Sequence, residues 1–423
     1  MAFTTLAHHI DISLLHVAYG LTRKDGAPGI DGETAKSYEK NLEANLRSLL
    51  DRFKSGTYFA PPVKRVYIPK SDGSKNRRPI GIPTFEDKVL QRAVSMVLEA
   101  VYEQDFREVS YGFRPGRSAH QALDALWHGV MEMNGVVLEL DIQNFFGSLD
   151  HGHLRCILDQ RIRDGVIRRM IDKWLKAGVL EDGAVHYPES GSPQGGVVSP
   201  NFSNIYLHEV LDAWFEDVVK PRLKGPAVLI RYADDAAIAF AYEEDAERVM
   251  EVLPKRFEKY GLTLHPQKTR LVPFRRPRPS GKGSPTDRDD GAGTFDFLGF
   301  THFWGKSRKG GWVVKRKTAR SRLQRAVKAI HAWLSRNLHL PIEDQQAALK
   351  QKLRGHYGYY GIIGNARALG DFLHHVTRAW RSWLDRRSQR SRMTWPRFVR
   401  LLARYPLPPP RLVHRAAPHA ANP

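Results

Sequence analysis

Two adjacent acids, Asp234 and Asp235, interrupt the otherwise largely apolar stretch AVLIRYADDAAIAFA from Ala227 to Ala241. Two apolar runs around a polar tip predict a β-hairpin. Neighbours on a strand point to opposite faces, so two acids between buried arms are not both surface decoration. At the tip both turn toward one site, and crowding two like charges there requires a neutralising cation. Oxygen-only ligands suit Mg²⁺, which takes one or two protein carboxylates and completes its shell with water and phosphate. A third acid, Asp141, ends the run GVVLELDI (Gly135 to Ile142), which reads as a buried strand. Together the three supply what a two-metal phosphoryl transfer needs: one ion to activate an attacking 3′-hydroxyl, another to stabilise leaving pyrophosphate. Taken singly, an Asp-Asp pair is as readily an ordinary turn, and an acid at a strand end an ordinary cap.

Charge narrows the partner. Net charge is +21, but from Lys315 onward 23 Lys/Arg face 4 Asp/Glu, while the preceding residues carry 43 basic and 41 acidic side chains. One-signed charge on the last quarter points to nucleic acid through counterion release. Trp333, Tyr357, Tyr359, Tyr360, Trp380, Trp383 and Trp395 are interleaved with it, available to stack on bases or to fill a helical core. Cys156 is the single cysteine, which excludes an internal disulfide and a Cys-based zinc site. The N-terminus lacks the basic start of a signal peptide, and no run of about 18 apolar residues occurs. The expected setting is cytoplasmic, without a membrane partner.

Periodicity predicts a helix from Glu33 to Phe53, then strand, turn and strand through APPVKRVYIPKSDGSKNRRPIGIP. Helices are expected from Val89 to Tyr102, after Arg117, from His151 to Lys176, around Phe202 to Trp214, and from Glu243 to Tyr260. Asp150 reads as an N-cap to His151 rather than as half of a catalytic dyad. FDFLGFTHFW and GWVVKRK predict a second hairpin, followed by helices and a Pro-rich end.

The order LELDIQNFFGSLDH, GSPQGGVVSP, RYADD, GLTLHPQKT and FDFLGF resembles the reverse transcriptases of group II introns, the intron-encoded reverse transcriptase/maturase family of bacteria. GAPGIDG, YEQDFREVSYGFRPGRSAHQAL and KLRGHYGYYGIIGN extend the resemblance over nearly the whole chain. It implies an α+β right-hand polymerase, with fingers and palm built on antiparallel sheet and then an all-helical basic thumb or maturase domain. The implied divisions are 1–130 for an N-terminal extension and fingers, 131–314 for the palm, 315–405 for the thumb and 406–423 for the tail.

The implied activity is RNA-directed DNA polymerisation with two Mg²⁺ ions (Mn²⁺ as a substitute), with intron-RNA binding as a maturase and support of retrohoming. RNA template, intron RNA, DNA primer or target and dNTPs are the implied partners. Asp141, Asp234 and Asp235 match the metal-binding acids, and the Ile142 carbonyl a further ligand. Lys70 and Arg78 match residues that grip the triphosphate, Gln194 a contact to the incoming nucleotide, and Lys268 a proton donor to pyrophosphate. Phe146 matches the bulky residue that excludes a 2′-hydroxyl; a core aromatic beside Phe145 is the competing reading. Tyr232 is expected at the primer end, Phe297, Leu298 and Gly299 in the primer grip, and Arg354, Tyr357, Tyr359, Tyr360 and Asn365 on RNA. Gly147 departs from an acid frequent in the family, and no His/Cys-rich endonuclease module is expected. Competing readings are a domesticated relative in defence or repair, an RNA-dependent RNA polymerase, which Phe146 opposes, and a catalytically silent splicing cofactor, which would have eroded an acid.

Overall fold

A computed structural model describes residues 1–69, 77–181, 183–187, 190–191, 195–277, 293–387 and 392–414. The chain forms two compact units, with the boundary between Val272 and Pro273.

In the first unit, Asp11 caps α1 (Ile12–Leu21) by accepting the Leu14 amide, and Thr34 with Ser37 forms a capping box at α2 (Ala35–Glu39). α3 (Leu42–Ser55) closes on Gly56 in left-handed backbone. The single helix expected from Glu33 to Phe53 is therefore two. Asn45 donates its amide to the Tyr38 carbonyl at 2.9 Å, satisfying a group that a continuing helix would have used.

β1 (Val63–Pro69) and β2 (Arg77–Ile82) pair antiparallel, from Lys64↔Ile82 to Pro69↔Arg77. α4 (Phe85–Tyr102) starts at the Thr84 cap with Glu86 and Asp87 in its first turn, where the helix dipole favours acids. α5 (Ala119–Met133) leads into β3 (Val136–Leu140), the short α6 (Phe145–Ser148), and the Asp-capped α7 (His151–Asp159) and α8 (Gly165–Leu175). A small hairpin, β4 (Val179–Glu181) and β5 (Ala184–His186), escaped the sequence reading; β4 joins β1 in parallel to give the order β2-β1-β4-β5.

α9 (Ser199–Leu207) runs on into a π-helix, His208–Val219, where a continuous α-helix was expected. β6 (Ala227–Tyr232), β7 (Asp235–Phe240), α10 (Glu243–Glu258) and β8 (Arg270–Pro273) complete the unit. Its second sheet has the order β6-β7-β3-β8. Every β7 residue from Ala236 to Phe240 is buried, as an apolar run without alternation implies, and α5 and α10 pack against this sheet.

In the second unit, β9 (Phe295–Phe297), β10 (Phe300–Lys306) and β11 (Trp312–Thr318) form an antiparallel sheet, one strand more than the expected hairpin. The extra strand arises because Leu298 (φ +48°) and Gly299 (φ +81°) make a two-residue turn with both residues left-handed, a geometry that matches strand twist. α11 (Arg320–Arg336), α12 (Ile342–Tyr360), α13 (Ala366–Asp385) and α14 (Trp395–Arg404) then pack around Leu334, Leu353, Phe372, Trp380 and Phe398. Beyond them, Val413 and His414 donate their amides to the Gly361 carbonyl. The α+β class and the helical C-terminal region are as expected. Among the described residues no helix is long and apolar enough to cross a membrane.

Trp380 is fully buried and donates its indole N–H to Gln345 Oε1 at 2.9 Å. Trp380→Ala should cost about 3–5 kcal/mol, because a large cavity opens and the Gln345 amide loses its donor. Urea denaturation followed by circular dichroism measures it.

Candidate active site

Backbone pairing assembles the acids. Tyr232↔Asp235 is the last pair of the β6–β7 hairpin, which leaves Ala233 and Asp234 as its turn. Leu140↔Ala236 is the last pair of β3 with β7, so the same register carries Asp141 alongside Asp235. Adjacent strands lie about 5 Å apart, which makes these acids near neighbours. Ala233 adopts φ +56°, a left-handed conformation that costs a side-chain-bearing residue about 1 kcal/mol. Gly112 packs against this turn so closely that a Cβ there would lie 2.3 Å from the Ala233 nitrogen.

On its other side Asp141 is held by the segment 263–269. Its carbonyl accepts from the His265 amide at 2.8 Å and from the Thr269 hydroxyl at 3.2 Å. Gln143 donates its amide to the Thr263 carbonyl at 2.8 Å, so Asp141 and Gln143 carry the bridge between Ile142 and Leu264. That pattern directs the Ile142 carbonyl away from this segment. Lys268 Nζ lies 3.1 Å from Asp141 Oδ2.

Asp234 is half-buried and Asp235 exposed. Burial pushes the Asp234 carboxyl above its usual range; the Asp141 charge adds to the rise, while Arg78 and Arg231 oppose it. Arg78 is an exposed residue of β2. Among the described residues no three His, Cys, Asp or Glu side chains gather closely enough to hold a metal ion by themselves. Three hard carboxylates at neighbouring strand ends nevertheless fit Mg²⁺, which needs one or two of them plus substrate phosphate.

Phe146 is half-buried, edge-on to buried Phe145 with ring centres 5.3 Å apart. Gly191 sits beside it, where a Cβ would meet the Phe146 carbonyl at 2.9 Å, and a Cβ on Gly195 would meet the Gly81 carbonyl of β2 at 2.6 Å. Gln194, between those glycines, and Lys70 lie outside the described residues. Tyr232 is half-buried on β6.

Sequence reasoning missed the supports of this loop. Gln91 Oε1 accepts the Val197 amide at 2.7 Å and the Val198 amide at 3.3 Å, and its Nε2 donates to Asp87 Oδ2 at 2.8 Å. Asp87 Oδ1 accepts from Tyr58 and Trp174. Burial pushes the Asp87 carboxyl up to about 6, against these three hydrogen bonds. An acid at the third position of α4 with Gln91 one turn on was the only signal, and it reads equally as a helix start.

In the second unit, Phe297 is buried, and the Leu298 carbonyl accepts the Tyr359 hydroxyl at 2.8 Å. Two expected RNA contacts are corrected. Tyr357 is 3% exposed with its hydroxyl on the Pro408 carbonyl, and Asn365, 1% exposed, bridges Thr318 and the Tyr360 carbonyl. Both are spent inside the fold: Tyr357 lies on the buried face of α12, and Asn365 stands just before α13 with its side chain turned inward. Arg354 is exposed, and Tyr359 and Tyr360 are half-buried around Phe300.

Residues 68–302 match the family model described as reverse transcriptase (RNA-dependent DNA polymerase), and residues 323–400 match the group II intron, maturase-specific domain. Over 202 residues the chain is 42% identical to the group II intron-encoded protein LtrA of Lactococcus lactis subsp. cremoris, covering 47% of this chain and 33% of that protein. It is 38% identical over 186 residues to protein YkfC of Escherichia coli (strain K12), covering 43% and 48%. It is 28% identical over 236 residues to nuclear intron maturase 2, mitochondrial, of Arabidopsis thaliana, covering 44% and 31%. The aligned stretch spans less than half of each relative.

Asp87 supplies a pH signature. Its folded-state value of about 6 lies above the ordinary carboxylate value, so the native state holds the proton more tightly than the unfolded chain. Its contribution to stability is therefore greatest below about pH 4, declines as pH rises to about 6, and is flat above. Asp87→Asn should remove that slope, read as the difference in Tm between the two proteins across this range.

Proposed function

Because the chain belongs to the reverse transcriptase family, we propose that it is an RNA-directed DNA polymerase that extends a primer 3′ end with dNTPs on an RNA template. The observation that supports it is the strand register, which sets Asp141 alongside Asp235 with Asp234 in the adjoining turn. In this reading the three carboxylates, with the Ile142 carbonyl, hold two divalent cations, Mg²⁺ or Mn²⁺. Such cations, when bound, lower the pKa of the primer hydroxyl and neutralise charge on the triphosphate.

The chain's own residues do the rest. Arg78 offers a fork of donors to the triphosphate, and Lys70 and Gln194 complete the nucleotide pocket. Phe146 occupies the space a ribose 2′-hydroxyl would need. Lys268, already beside the Asp141 carboxylate, holds a proton where pyrophosphate departs. Tyr232 packs at the primer end, and the β9–β10 turn with Phe297, Leu298 and Gly299 grips the primer.

The helical domain from Arg320, which matches the maturase-specific model, is proposed to bind intron RNA, with Arg354, Tyr359 and Tyr360 as contacts. It would serve splicing and retrohoming in a bacterial cytoplasm. Its one-signed charge supports a phosphate-backbone partner.

Asp234→Ala should abolish dNTP incorporation on an RNA template with Mg²⁺ while leaving RNA binding intact in a filter-binding assay. Retained synthesis would remove the assignment of the acids. Phe146→Ala should raise rNTP incorporation relative to dNTP by roughly 10-fold or more, about 1.4 kcal/mol of lost discrimination. An unchanged ratio in single-nucleotide extension would take the gate away from Phe146.

A further inference from the structure

Arg231 stands three residues before Asp234, in the arm of the hairpin that presents the acids. Its side chain and that of Asp212 are both 0% exposed. All five of its N–H groups are committed. Nε donates to Asp212 Oδ1 at 2.7 Å, and Nη2 to Asp212 Oδ2 at 2.5 Å and to Ser110 Oγ at 2.7 Å. Nη1 donates to Asn204 Oδ1 and to the Ala233 carbonyl, each at 3.0 Å. Asp212 comes from the π-helix His208–Val219, a local departure from α-geometry of the kind that often accompanies functional sites.

Fold stability gives a weak reason for this arrangement, because a well-packed apolar pair of similar volume does as well as a buried ion pair or better. What an apolar pair lacks is a donor for the Ala233 carbonyl. That carbonyl belongs to the strained left-handed residue of the turn, and strain of this kind persists only when neighbouring groups hold it. The other side of the turn is held by the same set of residues. Asn204, which accepts from Arg231, donates its Nδ2 to the Gly112 carbonyl at 2.7 Å, and Gly112 is the residue packed on the Ala233 nitrogen. The Tyr111 amide donates to the Arg231 carbonyl at 2.9 Å, and the Arg231 amide to the Val109 carbonyl at 2.8 Å.

We propose that Arg231, backed by Asp212 and Asn204, is a positioning residue. By gripping the Ala233 carbonyl it holds the turn in the one conformation that directs Asp234 and Asp235 to a shared cation site. The inference rests on the reading of those acids as cation ligands. Arg231 touches neither nucleotide nor primer in this role. Its loss therefore lowers kcat and weakens the response to divalent cation, and leaves KM for dNTP and primer–template affinity near their original values.

The test is primer extension at varied Mg²⁺ with three variants of the full chain. Arg231→Met/Asp212→Leu replaces the ion pair by apolar groups, which keeps the core filled and removes the donor. Arg231→Lys keeps a charge for Asp212 but has no fork to reach Ala233 as well; it decides the question if the double variant aggregates. Both should lose about 100-fold in kcat and need ~10-fold or more Mg²⁺ for half-saturation. Wild-type kcat and Mg²⁺ dependence in a variant that melts like the parent would overturn the proposal and leave Arg231 a structural residue only. Asp234→Ala is the control. If it retains synthesis, the reading of the acids fails; if it is inactive while the Arg231 variants are normal, the positioning role alone fails.

Discussion

Like charges at the ends of adjacent strands repel, and the first unit is organised around keeping three of them together. Asp141 and Asp235 are placed by strand register, and Asp234 by a turn that a Cβ-bearing residue enters only at a cost. Burial holds the Asp234 carboxyl above its usual range. In the proposed reading, hard cations would neutralise these carboxylates. The buried Arg231–Asp212 pair belongs to the same logic, since it holds the turn from inside.

The surroundings of the acids follow from backbone approach rather than from side-chain abundance. Gly112, Gly191 and Gly195 each sit where an added Cβ would collide with a neighbouring backbone, of the Ala233 turn, of Phe146 and of β2 respectively. Gln91, oriented by buried Asp87, holds the amides that follow the Gly-rich loop. In the proposed reading, a nucleotide pocket built this way would depend on few flexible side chains, which suits a reaction governed by alignment.

Much of this was legible in the sequence, for a local reason. An apolar run broken by acids is a pattern within fifteen residues that predicted the hairpin, and a second apolar run ending in Asp141 predicted a separate strand; the joining of the three acids came from the order of motifs along the chain. The Asp150 cap was equally local and accepts the His153 amide at 2.7 Å. What stayed hidden depends on partners far along the chain. Arg231 reads as one more polar residue in a strand until Asp212, Asn204 and Ser110 close around it. Asn365 and Tyr357 lie in a basic, aromatic-rich stretch that resembles an RNA-binding surface, and only packing shows that they face inward. At the break at Lys40–Asn41, the Asn45 side chain takes up the Tyr38 carbonyl, a contact that periodicity does not reveal.

The central claim is that folding alone brings the three acids into a site that binds two divalent cations with substrate. Mn²⁺ titration followed by electron paramagnetic resonance, with a primer–template and a non-hydrolysable dNTP present, measures it directly. The account predicts two Mn²⁺ ions per chain that approach closely enough to couple magnetically, and loss of that coupled signal in Asp141→Asn. An unchanged stoichiometry and spectrum in Asp141→Asn would contradict it.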